Sequence, residues 1–200
     1  AYLHGKSIRE RVLEMINIAH PDFREELLNH AKQWKYVYSD QKLPISIDGR
    51  ISIYPEKYET TLTLKNGKTI KIRPVKPTDE RSFQELHYSL DEKDRYLRFF
   101  TPIKDFRHKI IQPMVNIDYS TDMIIIGEAE VGGKKSIVAA GGFFKAFQPS
   151  VGELAFVVHN DWRGQGITKF LLNYLIKIGK EIPKSNKIYY GRRFRITGTI

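Results

Sequence analysis

Residues 151–168 place an apolar strand, Glu153-Leu154-Ala155-Phe156-Val157-Val158, directly ahead of a short turn and a helix, with Arg163-Gly164-Gln165-Gly166-Ile167-Thr168 at the junction. Glycines let a main chain approach a ligand closely, and the free amides at a helix start, with the helix dipole behind them, attract anions. Phosphate is the occupant expected of such a turn. The Gly-x-x-x-x-Gly-Lys-Ser/Thr spacing of a nucleoside-triphosphate loop is missing, and so is the Gly-x-Gly-x-x-Gly of a dinucleotide fold. The pattern by itself leaves two readings open: an anion cradle, or a glycine-bearing turn that only joins strand to helix.

Other chemistries are narrowed by composition. The chain has no cysteine, which removes thiol nucleophiles, disulfides and Cys-based zinc sites. Its six histidines are scattered, with no His-x-x-x-His and no carboxylate triad, so no metal is expected. A net charge of +10 makes anionic partners worth considering. Much of that excess lies in the tail, where Lys177, Lys180, Lys184, Lys187, Arg192, Arg193 and Arg195 face the single acid Glu181. Tyr189, Tyr190 and Phe194 lie among these bases, the interleaving a nucleic-acid surface would want, but a solvated basic terminus is the ordinary reading and nucleic acid the minor one. With 41% hydrophobic and 28% charged residues, 200 residues suffice for a soluble domain with an appendage. The first residues lack the apolar core of a signal peptide, and no run approaches the roughly 18 apolar residues of a membrane span. A cytoplasmic protein without membrane contact is expected.

The elements that must position the turn follow from periodicity. Two capping boxes, Ser7 with Glu10 and Asp22 with Glu25, start two short helices with Ile8, Val12, Ile16 and Ala19, then Phe23, Leu27, Leu28 and Ala31, at helical spacing. Residues 1–35 form this helical appendage, and 36–59 read as a linker. From Thr60 the period is two, with Asn66-Gly67 as the type I′ turn of a β-hairpin. Thr78 caps a helix over about 79–90, and a second runs over 93–100 until Pro102. Strands over 122–131, 136–147 and 152–159 form an antiparallel meander, a helix runs over 165–179 and a last strand over 187–194. The fold class is mixed α/β (α+β): a mainly antiparallel central sheet flanked by helices, within a domain of 60–200.

The junction resembles the pyrophosphate loop of the GNAT N-acetyltransferases, Arg/Gln-x-x-Gly-x-Gly/Ala. Glu153 to Val158 and Asp161-Trp162 resemble the branch containing bacterial protein-lysine acetyltransferases, and so do Ile72-Arg73-Pro74, Thr78-Asp79 and Tyr96-Leu97-Arg98-Phe99-Phe100. The resemblance covers about 60–180. Thr168 departs from the usual Gly or Ala, and its Cβ branch would either crowd a pyrophosphate or add a hydroxyl donor. The resemblance implies binding of acetyl-CoA, with the diphosphate on the amides of Arg163, Gly164, Gln165, Gly166, Ile167 and Thr168. It also implies strand-pairing of the pantetheine with Phe156, Val157 and Val158, an amide of Val158 or a neighbour on the thioester carbonyl, and Glu153 as general base for an amine acceptor. A carboxylate heading an apolar strand is expected to be desolvated and its pKa raised. The family's general acid is a tyrosine on a helix after the fifth strand. No such helix fits here, Tyr189 and Tyr190 are weak substitutes, and the carboxyl-terminal part of the fold reads as truncated. Such a domain is expected to bind acetyl-CoA poorly, to be completed by another chain, or to be an inactive remnant whose exposed sheet edge favours a homo-oligomer by dimerisation.

Residues 2–11 and 18–28 resemble the carboxyl-terminal end of the acetyl-CoA hydrolase/CoA-transferase family, which implies a fusion and brings no catalytic residue. The expected function is acetyl transfer from acetyl-CoA to an amine such as a protein lysine. The alternative is a non-catalytic acyl-CoA-binding module regulating an attached CoA-transferase.

Overall fold

The computed structural model describes residues 3–45, 52–99, 101–145, 151–181 and 193–197. Helix α1 (Ile8–Ile18) starts at the expected capping box, the Ser7 side chain accepting from the Glu10 amide while Glu10 accepts from the Ser7 amide at 2.7 Å. Helix α2 (Pro21–Gln33) starts ahead of the Asp22 box. His20 caps it instead, Nδ1 accepting the Asp22 amide at 3.4 Å, because Pro21 brings a helical φ and no amide to satisfy at the first position. Leu13, Ile16, Leu28, Ala31, Val37 and Leu43 close a small core of their own.

Strands β1 (Thr60–Thr63) and β2 (Thr69–Pro74) pair antiparallel, but their turn is not type I′. Only Gly67 has a positive φ, +81°; its amide donates to the Leu64 carbonyl at 3.0 Å, and the Leu64 amide donates to the Lys68 carbonyl at 2.8 Å. A left-handed glycine after a tight turn joins the strands without forcing Asn66 into the left-handed region. One 3-10 turn (Pro77–Asp79) leads into α3 (Glu80–Tyr88), followed by α4 (Glu92–Phe99) and α5 (His108–Val115). Thr78 does not cap α3: its hydroxyl donates to Glu14 of α1 at 3.2 Å, and Asp79 accepts the Lys76 amide at 2.7 Å. Helix α5 has no counterpart in the sequence reading, since Pro113 inside it looks like a helix stop.

The expected meander is present as β3 (Met123–Val131), β4 (Lys134–Lys145) and β5 (Val151–Val158). β6 (Arg193–Thr197) lies parallel against β5, giving the order β1-β2-β3-β4-β5-β6. Spacing predicts that last strand over 187–194; its described bounds lie further along, and residues 182–192, Tyr189 and Tyr190 included, lie outside the described residues. Helix α6 (Ile167–Glu181) buries Ile167, Leu171, Leu175 and Ile178 on the sheet, each worth roughly 1.5–3 kcal/mol of apolar burial. A Cβ on Gly141 would stand 2.7 Å from the Phe156 ring and 3.3 Å from Leu175, so only glycine lets α6 come this close. On the other side of the strands, buried Arg73 of β2 donates to both Asp79 oxygens at 2.7 and 2.8 Å and to Glu128 of β3 at 2.7 Å, tying the 3-10 turn to the sheet. No described helix is long and apolar enough to cross a membrane.

Candidate active site

The strand β5 is paired along its whole length on one side only. Against β4 the register runs from Gly152 to Val158. Against β6 it stops at Ala155, opposite Thr197, so among the described residues nothing pairs with the outer edge of Phe156, Val157 and Val158. Of these three residues, expected to strand-pair with a pantetheine chain, Phe156 and Val158 turn main-chain groups to the gap between the diverging strands, with the Val158 carbonyl already accepting from Arg163, while the groups of Val157 face β4. Leu154 and Phe156 point toward α6, and by the two-residue alternation Glu153, Ala155 and Val157 point to the opposite face, under α3 and α4.

The gap leads into the glycine turn. A 3-10 turn (Asn160–Trp162) ends β5, with His159 Nδ1 accepting the Asp161 amide at 3.3 Å. Gly164 and Gly166 adopt φ of +73° and +88°, and a Cβ on either would meet nothing within 4 Å. Their glycine identity is therefore set by backbone conformation, and the space beside them is open. The first helical hydrogen bond of α6 runs from the Phe170 amide to the Gly166 carbonyl at 3.0 Å. Among the described residues none accepts from the amides of Gly164, Gln165, Gly166, Ile167 or Thr168, which leaves a row of donors at the positive end of a fifteen-residue helix. Arg163 differs from the expectation. Its amide already donates to the Asn160 carbonyl at 3.2 Å, and its guanidinium turns inward to the Val158 carbonyl at 3.2 Å and to buried Asp94 of α4 at 2.5 Å. It fixes the turn to α4 instead of offering a donor. Gln165 braces the other side, accepting the Asn66 amide of the β1–β2 turn at 3.2 Å. Thr168 is half-buried in the first turn of α6.

Glu153 stands on the α3/α4 face of β5, opposite Phe144 of β4, and is exposed, so the expected desolvation is not found. Arg98 of α4 is its charged neighbour. Burial lowers the Arg98 guanidinium to about 10, and Glu153 pulls it back upward. Arg98 lies within the sequence Tyr96-Leu97-Arg98-Phe99-Phe100 that carries part of the family resemblance, but nothing in the local spacing reveals that it faces Glu153 across the fold. His87 on α3 was equally silent: it is fully buried, and burial pushes its ring down to about 4. Among the described residues no group of three or more His, Asp or Glu stands ready to hold a metal ion.

The site frame of this α/β protein is thus a pair of strands, β5 and β6, that part beside a helix start with spare amides. The chain belongs to the acetyltransferase (GNAT) family, whose model matches residues 83–191. Residues 1–31 match the acetyl-CoA hydrolase/transferase C-terminal domain. A curated relative, acetyltransferase PA5475 of Pseudomonas aeruginosa, is 22% identical over 118 residues, 59% of this chain and 63% of that protein. The chain thus spans less than two thirds of that relative's length. Among solved structures, the GNAT domain of S. lividans PAT is similar with a TM-score of 0.57 and 20% identity, covering 64% of this chain and 75% of that one. That similarity shows the fold.

Proposed function

We propose that the chain transfers an acetyl group from acetyl-CoA to an amine, with a protein lysine as the first acceptor to test. The observation that carries this reading is the continuity of the open β5 edge at 156–158 with the unpaired amides of residues 164–168. An extended pantetheine completes the sheet edge, and the diphosphate takes the amides at the start of α6. On the α3/α4 face, Glu153 removes a proton from the acceptor ammonium, directly or through water. The freed nitrogen then bonds to the thioester carbon and the C–S bond breaks. The departing thiolate takes up a proton, and a main-chain amide near Val158 faces the carbonyl oxygen as charge develops there. Glu153→Gln is expected to keep acetyl-CoA affinity by calorimetry and to lose roughly a hundredfold or more in turnover; unchanged turnover removes Glu153 from the base role.

A second reading, an acyl-CoA-responsive regulatory module without transfer activity, draws on the helical appendage. The segment similar to an acetyl-CoA hydrolase/transferase C-terminal domain is held to α3 by an ion pair between Arg9 and Glu80 at 2.7 Å. CoA release measured with and without lysine peptides separates the two: a transferase releases CoA in step with acetylated peptide, a sensor binds acetyl-CoA and releases none.

A further inference from the structure

Between α3, α4 and the sheet lies a cavity of about 10 Å³, lined among others by Phe83, His87, Arg98, Gly142, Ala155 and Val157. Its floor has to be glycine at 142, where a Cβ would come within 2.9 Å of Ile124 and 3.0 Å of Phe144. Two polar groups border it without protein partners. His87 Nδ1 lies 2.8 Å from the Phe83 carbonyl, and a carbonyl only accepts, so Nδ1 carries the hydrogen and Nε2 is a bare lone pair. That Nε2 is buried and has no hydrogen-bond partner among the described groups. Phe83, Phe99 and Phe106 surround the ring at 4.8, 5.5 and 5.1 Å between centroids. Arg98 lies over the Phe99 ring at 4.9 Å, and none of its donors reaches an acceptor among the described residues.

An acceptor without donors and a guanidinium without acceptors thus border one space of about the size a single water needs, roughly 10–15 Å³. We propose that one internal water bridges His87 Nε2 and the Arg98 guanidinium, which makes these two side chains positioning residues for Glu153. The water donates to Nε2 and accepts from Arg98. Because burial keeps the His87 ring neutral well below neutral pH, the donor and acceptor ends of this bridge do not exchange over the working range. Arg98 is then a fixed cation on the sheet face that carries Glu153. Among the described side chains, the charged group facing Glu153 is Arg98 from α4, while β4 presents Phe144. Around His87 the charged group is Arg98, its ring neighbours being phenylalanines.

The role in positioning rests on Glu153 acting as the base; the water itself does not. A crystal structure at high resolution is expected to show an ordered water within hydrogen-bond distance of both His87 Nε2 and Arg98, and a dry cavity overturns the bridge. In steady-state kinetics, Arg98→Met is expected to lower kcat with KM for acetyl-CoA unchanged, since Glu153 loses the cation beside it. His87→Phe keeps the ring packing and removes the acceptor. It is expected to lower kcat roughly tenfold with KM for acetyl-CoA unchanged. His87→Gln, which restores an acceptor oxygen, is expected to recover most of that loss. A wild-type kcat in His87→Phe overturns the positioning role, and so does wild-type turnover in Glu153→Gln, which removes the base reading while leaving the crystallographic result to stand on its own.

Discussion

At the seam where α1 and α2 meet the rest of the chain, many polar side chains are paired with one another, although Gln41 Oε1 and His108 Nε2 are buried without a hydrogen-bond partner. Buried Glu80 accepts from Arg9 at 2.7 Å and faces His108 Nδ1 at 2.7 Å; Lys6 and Thr78 both donate to Glu14; and Gln112 accepts the Lys42 amide at 2.6 Å while donating to the Asp40 carbonyl at 3.2 Å. At the end of the sheet where β5 passes into α6 the situation is reversed: side chains such as Arg163 and Gln165 brace the turn, while main-chain donors from Gly164 to Thr168 are left over. Side-chain pairing across the seam marks an interface already made. Unspent main-chain donors at an exposed helix start are satisfied by water or, on the proposed reading, by a ligand.

The seam should therefore respond in stability and the turn in binding. The largest effect is expected from Glu80→Ala, which strips a buried counter-charge from Arg9 and His108 and costs on the order of 3–5 kcal/mol. Urea unfolding measures it, and calorimetry at a temperature where the variant is folded should return a near-wild-type acetyl-CoA affinity. A large affinity loss with little change in stability would invert the comparison.

His87 tests whether the contrast extends to the core, where its Nε2 is buried without a hydrogen-bond partner. Burial lowers its pKa to about 4 from an unfolded value near 6.5. A falling pH therefore protonates the unfolded chain first. The stabilising contribution is full above about pH 6.5 and is lost as pH falls through the window down to about 4, amounting to roughly 3 kcal/mol across it. Unfolding free energies at pH 7 and pH 4.5 should differ by less in His87→Phe than in the wild type. Equal slopes would mean that another group governs the acid side.

The same contrast separates what was legible in the sequence from what was not. Strands β3 to β5, helix α6 and the Ser7 cap follow from periodicity and local capping, and the two glycines of the turn follow from a backbone need that is itself local. What escaped depends on distant partners. Thr78 is a good cap by type, yet its hydroxyl goes to Glu14, 64 positions away. Arg163 is expected to offer its amide to the diphosphate; that amide goes to the Asn160 carbonyl nearby, in a turn held to α4 by the bond from the Arg163 guanidinium to Asp94, 69 positions earlier. Glu153 heads an apolar strand, but it stands exposed, although Ala155 and Val157 further along the same face are buried under α3 and α4. Helix α5 was hidden by Pro113, whose local signal is the wrong one here.

Within the turn, Gly166→Val is expected to cost about 1–2 kcal/mol of stability through its φ of +88° and to weaken acetyl-CoA by at least about tenfold as the amides swing out of line. A tenfold loss in affinity corresponds to about 1.4 kcal/mol, so calorimetry resolves it easily.

The smallest change sharpens the comparison most. Gln165→Ala removes one exposed hydrogen bond to the Asn66 amide, worth roughly 0.5–1.5 kcal/mol. If the β1–β2 turn helps to hold the amides in a common direction, the loss appears as a severalfold weaker acetyl-CoA affinity with the unfolding midpoint nearly unmoved. If the affinity is unchanged, Gly164 and Gly166 shape the turn unaided. The bond to Asn66 then belongs with the seam, as one more contact between finished parts of the molecule.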